Sequence, residues 1–540
     1  MTPSPVLIVG AGPTGLTLAL TLQRHGIAAR VIDKLEHPAG LSKALAVWPA
    51  SLEVLAALGM HDAFAKAGAP LRAVTFGDGG KKLAHVDMSE GIDSAYPQPI
   101  LLPQSKTEKI LNAQYLSTGG MIERGVELVS LEESDGTVSA TLRHADGREE
   151  TTNAAWVVGA DGARSTVRHE LGIDFEGYTE PELFLLGDVR IDGADLDRHS
   201  IHIWWHDGGT IALFPFEDGV WRIIVERKGA RQQSGEREGD GNSNRQAPHE
   251  DTPATLEELQ LAIDRHGPPG ARLSQPGWLS SFRTNERLAA RYCSKRVFLA
   301  GDAAHIHTPA GGQGMNTGIQ DAFNLGWKLA YVLQGRGDAQ MLIDSYEAER
   351  RPVAHQVIGH ASRLMHAAMS GNPIMRFARD VAVSVLGRVP ALQARLRTEM
   401  SETEITYGEG LLVEHAGNSR HPARGFSGTR ALDLRWTDAK SGAARTLWPS
   451  LCEGRHTLVT FGEVDAITRR VAPFSGVVQT IGFDATGEPA TRYGFDAPGY
   501  VLIRPDQVVA VRGNAEDVAT LDRYLERVLR MSDGHAAATT

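Results

Sequence analysis

The chain has 540 residues, too many for one ordinary core, so two or three domains are expected. Its composition, 42% hydrophobic and 22% charged, is that of a globular protein, and a formal net charge of −11 argues against nucleic acid as a partner. Its two cysteines, Cys293 and Cys452, argue against a disulfide framework, a CxxC redox pair or a cysteine metal site, and point to a reducing, cytoplasmic compartment.

The first predicted elements lie in VLIVGAGPTGLTLALTL, from residue 6. It lacks the basic leader of a signal peptide, and GAGPTG interrupts the apolar run. It reads instead as a buried strand (Val6 to Val9), a tight turn and a helix ending at Gly26. No apolar stretch reaches the ~18–20 residues that span a bilayer, so no membrane insertion is expected. Gly10, Gly12 and Gly15 stand in GxGxxG spacing, with Pro13 and Thr14 inside the motif. The next strand, AARVIDK, ends at Asp33 and Lys34. In this context Gly10 permits the turn, Gly12 admits a pyrophosphate, and Gly15 lets helix and strand pack. Asp33 sits where an acid accepts the hydroxyls of an adenosine ribose. The motif alone leaves FAD and NAD(P) both open.

Residues 72–88 read as a hairpin. At 156–168, WVVGADGARSTVR runs an apolar strand into Asp161, with a helix beginning near Ser165. An acid at a strand end can simply cap that helix. Residues 183–227 read as antiparallel strands, with turns at Asp207-Gly208-Gly209 and Glu217-Asp218-Gly219. Alternation puts His202, Trp204 and His206 on one face, and Ile201, Ile203 and Trp205 on the other. Residues 229–253 contain no aliphatic or aromatic core-former beyond alanine and are expected to be a surface insertion. After the strand 297–300 comes GDAAHIHTPAGGQGMN (301–316), leading into a helix of about 316–334. His305 and His307 have no third metal ligand in evidence, so they are expected to pack or hydrogen-bond near this loop.

These three separated segments together resemble the group A FAD-dependent aromatic monooxygenases, with the likeness covering about residues 1–400. The resemblance implies an α/β fold. A Rossmann-like FAD-binding domain (1–71, 98–180, 286–400) would carry an inserted antiparallel substrate sheet (72–97, 181–285). FAD would bind along Gly10, Gly12, Pro13, Thr14, Gly15, Asp33 and Lys34, with Asp302 at the ribityl or pyrophosphate region. Asp161 would serve both FAD and the nicotinamide nucleotide. Gly312, Gly314, Met315 and Asn316 would open the helix onto the flavin, where backbone amides and the helix dipole stabilise negative charge. Pro309 would stand beside the reacting substrate. Lys43, in SKALAVWPASLEVLAALG, stands where the family usually has arginine; Gln104 and Arg222 would also touch the cofactor. Matching TIALFPF to the family's strand puts Trp204, Leu213 and Pro215 on the cavity face. Val47, Trp48 and His202 join them at the substrate, and Trp204 and His206 are candidate catalytic groups. No arginine is placed to clamp a substrate carboxylate, and the proton acceptor for a phenol is unassigned.

The resemblance further implies NAD(P)H as reductant, O2 as co-substrate, and hydroxylation of a phenolic or polycyclic ring through a flavin C4a-hydroperoxide. Epoxidation, Baeyer–Villiger oxidation, non-oxygenating reduction and a non-catalytic flavin scaffold remain alternatives. From about 403 the chain alternates strands and helices. Residues 403–532 resemble the thioredoxin-like domain of phenol hydroxylase relatives, without a CxxC pair, and a structural or homodimer-forming role is expected.

Overall fold

The computed structural model describes residues 4–38, 44–78, 81–134, 136–206, 209–216, 219–227, 253–309, 311–368, 372–408, 410–415, 425–438 and 441–530. Lys43 and nearly all of the expected insertion at 229–253 lie outside the described residues.

Val6–Val9 is apolar at every position and forms a strand buried on both faces. It is paired in parallel by Ala29–Asp33 on one side and Trp156–Gly159 on the other. The complete sheet has six strands, adding Val297–Leu299, Cys293–Ser294 and Ile122–Arg124. The three motif-bearing strands, ending at Val9, Gly159 and Leu299, are adjacent and parallel, so all three loops leave the same edge. This is the crevice beyond the carboxyl ends of the strands where doubly wound folds bind ligands. The helices Pro13–Arg24 and Gly314–Leu333 pack together beside this sheet.

A second sheet of eight strands stands over the first. Its centre is formed by Phe175–Asp192, Val220–Glu226, Gly209–Pro215 and Ser200–His206. Ala73–Asp78 and Lys81–Asp87 close one edge. Arg272–Ala289 and the short His305–Ile306 close the other. The helix Leu256–His266 is anchored by a capping box between Thr255 and Glu258. Its Leu259 and Ile263 share one apolar cluster with Trp204, Ile211, Leu213, Trp221, Ile223 and Val225. The opposite face joins Ile201, Ile203, Phe214 and Phe76 to Ala46 and Trp48 of the lower layer. The latter is therefore the inner face.

In the C-terminal part, His456–Phe461 pairs in parallel with Val478–Phe483 and antiparallel with Gly499–Ile503, which turns back into Val509–Asn514. That strand order, 478–483, 456–461, 499–503, 509–514, is the thioredoxin-like arrangement. Two buried arginines tie this part to the rest. Arg504 donates to both carboxylate oxygens of Glu349, and Arg430 pairs with Glu53.

Candidate active site

The first glycine loop is built by close approach. Gly10 has φ +106, and a Cβ there would lie 2.3 Å from the Ala160 carbonyl oxygen. A Cβ at Gly15 would lie 1.9 Å from the Gly10 oxygen. Gly12, by contrast, faces open space, with nothing within 4 Å of the position its Cβ would take. The helix behind it opens with Pro13 and has no side-chain cap and no acid in its first turn. Its leading N–H groups are thus left for a ligand. Asp33 accepts the Ala11 and Leu35 amides, each at 2.8 Å, with Arg124 3.6 Å away. A carboxylate has about four acceptor sites, so room remains for ribose hydroxyls. Lys34 follows it, exposed.

Thr14 is the contact between this loop and the Gly301-Asp302 segment. A Cβ on Gly301 would meet Thr14 Oγ1 at 2.4 Å, and one on Gly318 would meet it at 2.5 Å. Asp302 itself is exposed in the short 3-10 turn Gly301–Ala303. Behind that turn lies a buried hub. Asp321 accepts from the Gly301 amide, His305 Nε2 and Arg350 Nε. Burial works against its charge, but Arg350 and His305 outweigh this and hold its carboxyl low. His305 is therefore a hydrogen-bonded core histidine. His307 donates from Nδ1 to the Thr308 carbonyl, and burial lowers its pKa. Among the described residues no group of three or more His, Cys, Asp or Glu could hold a metal ion.

Asp161 both caps and faces the crevice. Its Oδ2 accepts the Val167 amide, Ser165 accepts from Arg168 as N-cap, and its Oδ1 is buried without a hydrogen-bond partner. Burial raises the Asp161 carboxyl. Arg168 bridges this segment to the Gly-Asp segment by donating to the Ala163 and Ala303 carbonyls.

The 314–333 helix also opens without a side-chain cap or an acid in its first turn. Gly311 and Gly312 turn into it at φ +86 and +63, a region that favours glycine. The Gly312 amide donates to the carbonyl of exposed Pro309. Asn316 is a clamp in this arrangement. Its Oδ1 accepts the Trp48 amide, and its Nδ2 donates to the Ala46 and Gly312 carbonyls. Trp48 Nε1 donates to the Gly311 carbonyl. Met315 and Val47 are buried in the main core, and Gly314 lies against His307. Gln104 accepts the Ala44 amide and donates to Glu108, holding the segment that leads to Trp48.

The open cradle at Gly12, the two uncapped helix starts and the unpartnered Asp161 oxygen fit FAD. Gly10, Gly12 and Asp33 would hold its adenosine end, Asp302 its middle, and the amides that open the helix at Gly314 to Asn316 its ring.

The substrate face expected from matching TIALFPF to the family's strand is reversed. Trp204 and Leu213 pack under the 256–266 helix, on the face away from Trp48. Pro215 stands opposite Trp221 in the same outward register. His202 stacks on Trp204, lies tilted against Trp221, and donates from Nε2 to the Asp197 carbonyl. His206 ends its strand opposite Gly209, and its side chain lies outside the described residues. The inner face carries Ile201, Ile203, Phe214 and Phe76, with Trp205 stacked on Phe76 at 5.3 Å. Arg222 does lie on the inner face, but its guanidinium is committed to Asp188. The Asp321–Arg350 hub, Gly318 and the covering helix at 256–266 were not anticipated. Asp321 and Arg350 both sit inside recognisable motif helices, but nothing in their spacing announces a buried pair.

A family model described as an FAD binding domain matches residues 3–361, and one described as aromatic-ring hydroxylase, C-terminal, matches residues 424–531. The 6-methylpretetramide 4-monooxygenase of Streptomyces rimosus is 35% identical, over 96% of this chain and 93% of the relative. The pentachlorophenol 4-monooxygenase of Sphingobium chlorophenolicum is 34% identical, over 68% of this chain and 65% of the relative. The solved anhydrotetracycline hydroxylase from Streptomyces rimosus superposes with a TM-score of 0.75 at 29% identity, covering 97% of this chain and 98% of that one. Three loops on one sheet edge, two open helix starts and these matches agree: the chain belongs to the FAD-dependent aromatic-ring monooxygenases.

Proposed function

We propose that this monooxygenase hydroxylates a neutral phenolic or polycyclic aromatic substrate, consuming NAD(P)H and O2. The observation that carries the substrate class is the inner face of the eight-stranded sheet. It offers Phe76, Trp205 and Phe214; the sheet's Arg222 is paired with Asp188, and Arg379, which lies over Trp205 from the helix Pro373–Leu386, is paired with Asp380. Such a surface suits a flat ring system better than a benzoate. Relatives named for tetracycline-type and chlorophenol substrates support the same reading.

FAD, when bound, supplies hydride acceptance and oxygen activation, chemistry no side chain here provides. The chain's own contribution is placement. The amides opening the 314–333 helix offer positive potential to the ring's pyrimidine edge. Trp48 and Asn316 fix that opening, and Pro309, whose carbonyl accepts the Gly312 amide, leads into it. The aromatic inner face excludes water and orients the substrate. Cys293 and Cys452 are free, and burial pushes both thiols up to about 12, which fits inert cysteines in a cytoplasmic protein.

A panel of phenols and polycyclic phenols, assayed for accelerated NAD(P)H consumption, tests the reading. The expected result is one hydroxylated product per nicotinamide oxidised. Oxidation that yields only hydrogen peroxide with every compound would contradict it.

A further inference from the structure

We propose that Asp188 is the hydrogen-bond acceptor for the substrate, and that it selects rings bearing a free phenolic or enolic hydroxyl. This rests on the reading above that the inner face contacts the substrate.

Asp188 lies in the strand Phe175–Asp192, opposite Arg222 on one neighbour and Trp278 on the other. The residues on either side of it point outward: a Cβ on Gly187 would meet Leu259, and Val189 packs in the cluster under the 256–266 helix. Asp188 therefore points inward. Its partner agrees, since Arg222 pairs in register with Phe214, which packs with Trp48 and Ile201.

The pair is rigid and asymmetric. Arg222 Nε and Nη2 donate to Asp188 Oδ1 and Oδ2, each at 2.8 Å. Phe216 and Trp278 stand 5.0 and 5.1 Å from the guanidinium. Arg222 is 1% exposed, whereas the Asp188 side chain is 17% exposed. Arg222 thus takes one acceptor site on each oxygen and fixes the carboxylate in plane, leaving about two further sites on a carboxylate that stays partly exposed on the inner face. A hydroxyl of the substrate satisfies one of them. A methoxyl cannot, and it also displaces the water that otherwise would. No proton leaves in this step; the substrate O–H stays intact and donates.

The test compares binding of 2-naphthol and 2-methoxynaphthalene to the FAD-loaded protein, read from the flavin absorbance change. The parent is expected to bind the phenol about tenfold or more tightly than the ether. Asp188→Asn should erase most of that preference, weakening the phenol far more than the ether. The double variant Asp188→Leu/Arg222→Met, which leaves no buried charge unpaired, should erase it as well. A parent that binds both probes alike, or variants that keep the preference, would overturn the assignment of Asp188. So would equal weakening of both probes, the mark of a purely structural pair. A parent that holds FAD yet binds neither probe would instead overturn the substrate reading itself.

Discussion

Gly301→Ala separates backbone strain from crowding at the contact between the two FAD-binding loops. Gly301 has φ +60, where a side chain costs about 1–2 kcal/mol. Its new Cβ would also stand 2.4 Å from Thr14 Oγ1 and 3.2 Å from both Thr14 Cβ and Cγ2. Crowding of that kind costs about 1–3 kcal/mol. Without FAD the two loops can relax apart; with FAD they must close on one ligand, so the cost falls on binding. Even the low end, about 2 kcal/mol, weakens FAD roughly 30-fold. Thr14→Ala removes Oγ1 and Cγ2, so in that background the same Gly301 change should cost only the backbone part, about tenfold. Quenching of FAD fluorescence gives the dissociation constants, and thermal unfolding of the FAD-free proteins checks that the fold survives. Gly301→Ala with FAD affinity within about threefold of the parent, or no recovery in the Thr14→Ala background, would refute the reasoning.

Asp302→Ala should purify with little flavin, and a normal absorbance ratio would count against its place at the cofactor. Phe214→Ala should change the ranking of phenolic substrates by kcat/KM. Trp204→Ala should instead lower the unfolding free energy by about 3–5 kcal/mol and leave the ranking intact; the opposite pattern would restore the other face of the sheet. Glu402 is buried beside Gln320, and burial lifts its carboxyl to about 8 against the opposing pull of Arg350. A folded-state pKa above the ordinary 4.5 gives stability that is complete below pH 4.5 and lost as pH rises through about 8. Glu402→Gln should flatten that decline, which at ~1.4 kcal/mol per unit is on the order of 5 kcal/mol. Thermal midpoints of the two proteins that fall in parallel between pH 5 and 8 would contradict it.

The crevice was legible because its motifs are written in local backbone demands. Gly10 and Gly15 are glycines for want of space, and Gly311 and Gly312 because of positive φ; both leave a mark that a strand–loop–helix pattern exposes. The thioredoxin-like part was legible for the same reason, as alternating strands and helices. The substrate face was not. In SIHIWWH each alternating set carries a tryptophan, and both faces of the strand are covered, with Ser200, His202 and Trp204 buried on one and Ile201 and Trp205 on the other, so period-two patterning gives no direction. What decides it is the helix 256–266, which lies beyond the insertion and covers Trp204 from outside. Arg222 was read as a cofactor contact, and its partner Asp188, 34 residues away, became visible only through strand register. The Asp321–His305–Arg350 hub was hidden likewise. Each member reads as an ordinary polar residue, and only the packing of the 314–333 and 339–368 helices brings them together.

The most direct measurement is a titration of the purified, flavin-free protein with FAD, followed by visible absorbance and fluorescence. If the bare amides at Gly314–Asn316 receive the isoalloxazine ring, binding saturates at one FAD per chain and shifts the flavin spectrum. A protein that stays colourless after removal of excess FAD would contradict the site described above.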